Sequence, residues 1–489
     1  MGKMCRREFF SAGAAFAAFG LTGLAAAKER GMARGRAKLV FGVVSDVHVF
    51  GTPAHWQADC DHLKRALTYF RDHGADGVVI AGDMADCGRL DELVYVGETW
   101  KAVFPDDRGQ SGKHVEKLFV YGNHDREGYD WSRMRRIRKG RLADDLAASW
   151  KKAFDEDYDE IRIKEVNGYR FVLNSLLEYP KSGPYADFLA RNRGVLAGMK
   201  PFFYVQHYHP RGTCSAPWTW GQDNGQATAA LAEFPNAVSF SGHSHTPLSD
   251  ERTVWQGAFT SIGTASLRYL IPFGGRENSV VFGARRDLLP DQQMRQIDCS
   301  DGKNGLLVSV YDDCLVLARR DFQYDLPVGA DWVIPWPRDN SFAFAPRAAR
   351  ASVPEFPVGA TVTITKRQGK TRKGVPMPQT TVTFPNVRGP VRAFDYEVVV
   401  ECEDVDTTKI LATKRVYSDG YYRAPEKDVK QVSCVFGDNE LTAPAYKSWD
   451  SMRKVVPLTT QAAARWRFVV RPCNCFGGKG KAIYSDWQA

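Results

Sequence analysis

Five short apolar runs in this chain each stop at side chains able to hold a metal ion. Leu39-Val40-Phe41-Gly42-Val43-Val44 ends at Ser45-Asp46-Val47-His48, and Gly77-Val78-Val79-Ile80-Ala81 ends at Gly82-Asp83-Met84-Ala85-Asp86. Lys117-Leu118-Phe119-Val120-Tyr121 leads into Gly122-Asn123-His124-Asp125. Phe202-Phe203-Tyr204-Val205 reaches Gln206-His207, and Ala237-Val238-Ser239-Phe240 reaches Ser241-Gly242-His243-Ser244-His245. The donors are carboxylate, amide oxygen and imidazole, with no thiolate in the motifs, a set that suits Mn, Fe or Zn. A lone D-x-H or G-D-x-x-D is common by chance. Their order behind five apolar runs is not.

Runs without polar alternation predict strands buried on both faces of a sheet, and open α/β sheets bind ligands at the carboxyl ends of such strands. Between the first two runs, Trp56, Cys60, Leu63, Leu67 and Phe70 fall at helical spacing and form one apolar stripe. Gly74 closes that helix, so the unit reads βαβ with parallel strands. His55, His62 and His73 sit in or beside the helix and are expected to be solvated. A second helix is predicted over Asp91 to Phe104, and Asn167-Gly168 predicts a hairpin turn. Arg133 to Arg141 carries six basic residues, which fit a solvated helix face or a surface that steers phosphate. Trp218 and Trp220 fall on a Pro/Gly-interrupted loop after His207, as a substrate wall or as packing. Leu306 to Ala318 reads as a hairpin around an acidic turn.

With 489 residues, 44% hydrophobic and 25% charged, the chain is long enough for two or three globular units. A net charge of +9 favours anionic partners; nucleic acid is compatible with it but not favoured. Residues 1–27 hold Arg6-Arg7-Glu8-Phe9-Phe10, an Ala/Gly/Phe stretch and Ala25-Ala26-Ala27, and resemble a bacterial twin-arginine signal. Export to the periplasm or beyond follows, with no membrane span in the mature chain. Residues 28–37 read as a linker, 38–335 as the metal-bearing α/β domain, 336–360 as a Pro-rich linker and 361–489 as an all-β sandwich. The final stretch, Arg467 to Asp486, is similar to the last hairpin of a fibronectin type III domain. Ten cysteines with no C-x-x-C pair specify no disulfide, although Cys299 and Cys314 would be placed to bridge a hairpin-like excursion.

The motif series resembles that of the calcineurin-like metallophosphoesterase family over roughly residues 38–322. The resemblance implies two stacked mixed β-sheets flanked by helices, with two divalent or trivalent metal ions between them. It places Asp46, His48 and His245 on the first metal, Asn123, His207 and His243 on the second, and Asp83 on both. It makes His124 the residue that faces substrate, with Asp125 orienting its ring. The family's fourth motif usually reads His-x-Pro; here Gln206-His207-Tyr208-His209-Pro210 departs from it and offers two candidates, His207 and His209. His207 follows its strand directly and is the choice, with His209 near the substrate. Asp86 is expected to orient ligands from behind. The activity implied is hydrolysis of a small phosphodiester or phosphomonoester through a metal-bridging hydroxide, the diester slightly favoured. The alternative from another class is a non-catalytic, metal-stabilised protein whose sandwich docks glycan or protein. The sequence leaves oligomeric state open.

Overall fold

A computed structural model describes residues 35–51, 55–127, 129–130, 135–136, 143–176, 184–215, 221–271, 301–370, 374–387, 391–403, 408–418, 430–438, 441 and 465–488. The signal-like segment, the two loop tryptophans and Cys299 lie outside them.

The first sheet opens with β1 (Leu39–Val44), β2 (Gly77–Ala81) and β3 (Glu116–Val120), all parallel. A two-residue pair, β4 (Tyr129–Asp130) and β5 (Arg135–Arg136), follows. The described part of the Arg-rich run, Arg135–Arg136, is therefore one strand of this pair, where a solvated helix face was one of the two readings. The second sheet contains β6 (Ile161–Val166), β7 (Tyr169–Asn174), β8 (Phe202–Val205), β9 (Ala237–Ser241), β10 (Val254–Gln256) and β11 (Thr260–Gly263). Its order is β10-β11-β9-β8-β7-β6, with β7, β8, β9 and β11 parallel. The chain then returns to the first sheet with β12 (Asn304–Val310), β13 (Cys314–Asp321), β14 (Leu326–Pro327) and β15 (Trp332–Pro335). The predicted Asn167-Gly168 turn is present, with both residues at positive φ.

The two sheets stack face to face. Phe41 of β1 meets Phe171, Phe203 and Phe240 of the opposite sheet edge-on, with ring centroids 5.1, 4.8 and 5.7 Å apart. Leu39, Val43, Leu173, Val205 and Val238 complete this inner core. The outer face of the first sheet is covered by helices Trp56–Asp72 and Leu90–Val103, through Leu63, Leu67, Phe70, Val96 and Trp100. The first helix lies so close to β1 that a Cβ at Gly42 would overlap the Phe70 ring, which is why that strand carries a glycine. Helices Pro184–Arg191 and Gln226–Leu231 cover the outer face of the second sheet. The domain is thus helix, sheet, sheet, helix, the stacked mixed α/β arrangement expected. Among the described residues no helix is long and apolar enough to cross a membrane.

The C-terminal part is an all-β sandwich. Strands β16 (Thr363–Lys370), β17 (Pro376–Pro385) and β20 (Gln431–Gly437) form one sheet. β18 (Asp395–Glu403), β19 (Thr408–Tyr417), β21 (Arg465–Cys473) and β22 (Ile483–Tyr484) form the other. Val382, Phe384, Tyr396, Val398, Phe436 and Phe468 pack between them. The span 336–360, expected to be a linker, instead includes the helix Phe344–Arg350. Its buried Arg347 reaches Glu251 at 2.6 Å, the carboxylate that also receives Arg319 at 2.9 Å and the Trp332 indole at 2.8 Å. Phe394, Tyr417 and Cys475 of the sandwich join the same cluster as Trp332, Ile334 and Trp336. The eight described cysteines are all buried.

Candidate metal centre

The carboxyl ends of β1, β2 and β3 face those of β8 and β9 across the sheet stack. Six of the seven predicted donors converge there, and Asn123 follows β3, next to the His124 amide that donates to Asp83 Oδ1 at 2.9 Å. Asp46 Oδ1 is 3.1 Å from His245 Nε2 and 3.8 Å from His48 Nε2, and the two imidazoles are 3.4 Å apart. Asp83 Oδ2 is 3.1 Å from His207 Nε2, which is 3.1 Å from His243 Nδ1. Asp83 Oδ2 also lies 3.7 Å from His48 Nε2, so this carboxylate stands between the two groups. Asp46-His48-His245 and Asp83-His207-His243 each gather donor atoms within 4.8 Å of one another, as does His48-Asp83-His124.

Three observations show that the residues fit metal ions. Donor atoms 3.1–3.4 Å apart are what two ligands subtend when each stands about 2.1 Å from a shared ion. Asn123 Oδ1 is buried and has no hydrogen-bond partner, a costly state that coordination would relieve. Three of the imidazoles are oriented from behind: His48 Nδ1 by Asp86 Oδ1 at 3.0 Å, His207 Nδ1 by the Ala81 carbonyl at 2.8 Å, and His245 Nδ1 by the Tyr269 carbonyl at 2.9 Å. An Nδ1–H donated outward leaves the Nε2 lone pair turned inward. Asp86 thus sits behind a ligand, as expected.

The backbone is bent to this purpose. Asp46, His48, Asp83, His243 and His245 all have positive φ, a conformation that non-glycine residues rarely hold and that clusters at functional sites. The glycines of the motifs have a second reason. A Cβ on Gly122 would overlap Asp83, and one on Gly242 would overlap Asp46. One on Gly82 would stand 2.5 Å from His207 Nδ1. Each glycine lets a ligand from another strand pass close to the chain.

Electrostatics follow from crowding buried carboxylates with imidazoles. Burial alone would lower His48, but hydrogen bonds to Asp46 and Asp86 and the Asp83 charge outweigh it and raise the ring to about 10. His207 is raised to about 9, where Asp83 outweighs a similar burial cost. Asp46 and Asp83 are held below the usual carboxylate range because their imidazole partners overcome the upward push of burial.

His207 and His209 part clearly. His209 is buried with Nδ1 2.7 Å from Ser241 Oγ and Nε2 2.6 Å from Ser244 Oγ, and burial lowers it to about 4. It supports the loop that carries His243 and His245, where the sequence had placed it near substrate. Asp125 also differs from expectation. Its carboxylate accepts the amides of Met84, Ala85 and Gly122 at 3.2, 2.7 and 2.7 Å, while His124 Nδ1 is 2.6 Å from the Asp86 carbonyl. Asp125 therefore ties the second and third motif loops together, and burial followed by the Asp83 charge raises it to about 7. His62, expected to be solvated, is half-buried, and burial lowers it to about 4.

The sequence missed the segment after β11. Ser266 Oγ donates to the Asp46 carbonyl at 3.1 Å, as does the Arg268 amide at 3.1 Å, and Arg268 reaches the His48 carbonyl and pairs with Asp59. Thr264 Oγ1 donates to Ser45 Oγ at 2.6 Å. This segment bolts the end of β1 to the second sheet, yet carries no metal-type donor that would single it out. Its one signal is a short run, Thr260 to Gly263, of the same form as the others.

The fold and site define a two-sheet α/β protein with a candidate double metal centre at its strand ends. Residues 39–247 match the family model Metallophos, calcineurin-like phosphoesterase, and a domain of that family occupies this part of the chain. Among solved structures, the chain is similar to a dimetal phosphatase from Danio rerio, with 13% identity, a TM-score of 0.38, and coverage of 61% of this chain and 99% of that one. It is also similar to purple acid phosphatase PPD1 from yellow lupin (Lupinus luteus) seeds, with 11% identity, a TM-score of 0.42, and coverage of 62% and 54%. No curated protein matches the chain.

Proposed function

We propose that the protein is an exported, metal-dependent phosphoric ester hydrolase, acting on phosphodiesters in preference to phosphomonoesters. The observation that carries the catalytic reading is the placement of Asp83 Oδ2 between two donor groups, with the buried, partnerless Asn123 Oδ1 on the residue before His124, whose amide donates to Asp83. Asp46, His48 and His245 would hold one ion, Asn123, His207 and His243 the other, and Asp83 both. Bound there, such ions supply Lewis acidity toward a phosphoryl oxygen and acidify water for attack. His124 Nδ1 is committed to the Asp86 carbonyl, so proton exchange with a leaving oxygen falls to Nε2. The diester preference is supported by the G-D-x-x-D and G-H-x-H form of the motifs, and export by the paired arginines before the apolar leader.

The test is hydrolysis of chromogenic mono- and diesters by Mn-loaded protein, beside Asp83→Ala and His124→Ala. Expected are a wild-type rate well above both variants and two ions per chain. Wild-type rates equal to those of the variants on every ester would overturn the proposal in favour of a binding protein.

A further inference from the structure

Two aromatic rings stand at opposite ends of the donor cluster. At the first group, the Tyr269 ring lies 4.4 Å from His245 and 6.3 Å from His48, nearly parallel to the latter. At the second, the Tyr208 ring lies 4.4 Å from His243, edge-on. Both are anchored through their own carbonyls. Tyr269 O accepts from His245 Nδ1, and Tyr208 O accepts from Gln206 Nε2 at 2.7 Å, itself held by Asp223 at 3.1 Å. The main chain that carries each ring is thereby held in place beside the donors before any ligand arrives.

Burial separates these rings from ordinary packing. The metal-type donors of the first group are almost fully covered, yet Tyr269 beside them remains 39% exposed. It also falls beyond residue 247, where the family match ends.

We infer that Tyr269 and Tyr208 wall the mouth of the metal centre and select phosphodiesters carrying a flat ring on the ester oxygen that is retained. The inference rests on the phosphoesterase reading above. An aromatic face accepts any planar group, so the class is aryl or heteroaryl esters without one fixed ring identity.

The test compares p-nitrophenyl phenyl phosphate with p-nitrophenyl methyl phosphate, which share a leaving group, on the Mn-loaded full chain. Wild-type protein is expected to favour the phenyl ester. Tyr269→Ala and Tyr208→Ala should each raise its KM about tenfold with kcat changed less. Tyr269→Phe should keep the wild-type ratio, and Tyr269→Leu, which retains apolar bulk without a ring, should lose it. Calorimetric titration of phenylphosphonate against methylphosphonate gives the same ratio without turnover, and metal content confirms that each variant is loaded. Phenyl-to-methyl ratios unchanged in the Ala and Leu variants, with both esters hydrolysed, would overturn the ring selection alone. Hydrolysis of neither diester by loaded wild-type protein that still cleaves a chromogenic monoester would overturn it together with the diester preference, and cleavage of no ester at all would overturn the phosphoesterase reading as well.

Discussion

The two donor groups are built differently. In the first group the supports of His48 are charged, Asp86 behind its ring and Arg268, paired with Asp59, on its carbonyl, while His245 rests on the Tyr269 carbonyl. Around Asn123, His207 and His243 they are neutral, with a backbone carbonyl behind His207 and an amide oxygen as donor. An imidazole backed by a carboxylate is a stronger base than one backed by a carbonyl. The first group therefore presents more negative charge to a cation and should hold its ion more tightly, leaving the second to exchange.

Removing the shared carboxylate erases the difference. Asp83→Ala should lose both ions and lower hydrolysis by at least about a thousandfold, a barrier change of about 4 kcal/mol. Metal analysis and steady-state rates read both effects. A variant that retains two ions would show that Asp83 belongs to neither group.

The frame behind the first group should respond to pH. Glu92 is fully buried and accepts the amides of Gly51, Cys87 and Arg89, joining the loop after His48 to the loop after Asp86. Burial raises its carboxyl to about 7 from 4.5. The folded chain then binds this proton more tightly than the unfolded chain does. Stability is lost as pH rises from about 4.5 to about 7, by up to about 3 kcal/mol. Urea titrations across that window should show the decline in wild-type protein and a flatter profile in Glu92→Gln.

Neutralising the carboxylate behind His48 tests the proposed order of affinities. Asp86→Asn should weaken the tighter ion about ten- to a hundredfold. Asn123→Ala should release the other ion alone, and chelator titration with metal counting would show which leaves first. The glycines give the finest comparison. Gly242→Ala should disturb Asp46 and the first ion, whereas Gly82→Ala should disturb His207 and the second. Each adds strain of about 1–3 kcal/mol. Equal loss of both ions in either variant would show that the groups do not load separately.

The seven donors were legible in sequence because each follows a short apolar run without polar alternation, the form of a strand buried on both faces, and the runs recur in order. Of what supports them, Asp86 behind His48 was legible and most of the rest was not. Tyr269 and Ala81 act through backbone carbonyls, which every residue possesses, so no side-chain pattern reveals them. Asp125 was assigned to its chain neighbour His124, whereas the turn points its carboxylate at amides of the second motif. His209 has the residue type of a ligand, and only the hydroxyls of Ser241 and Ser244 on either side reveal its structural part. The Pro-rich span after Pro335 read as a tether because proline breaks periodicity, and Arg347 shows that a broken pattern can still be pinned at one point.

That pinning bears on how the molecule comes apart. Because sandwich rings complete the same apolar cluster as Trp332 and Trp336, neither half can be stripped away without leaving a raw face on the other. The chain should melt in one calorimetric transition, and whatever touches the outer strands of the sandwich is held at a fixed bearing to the metal mouth.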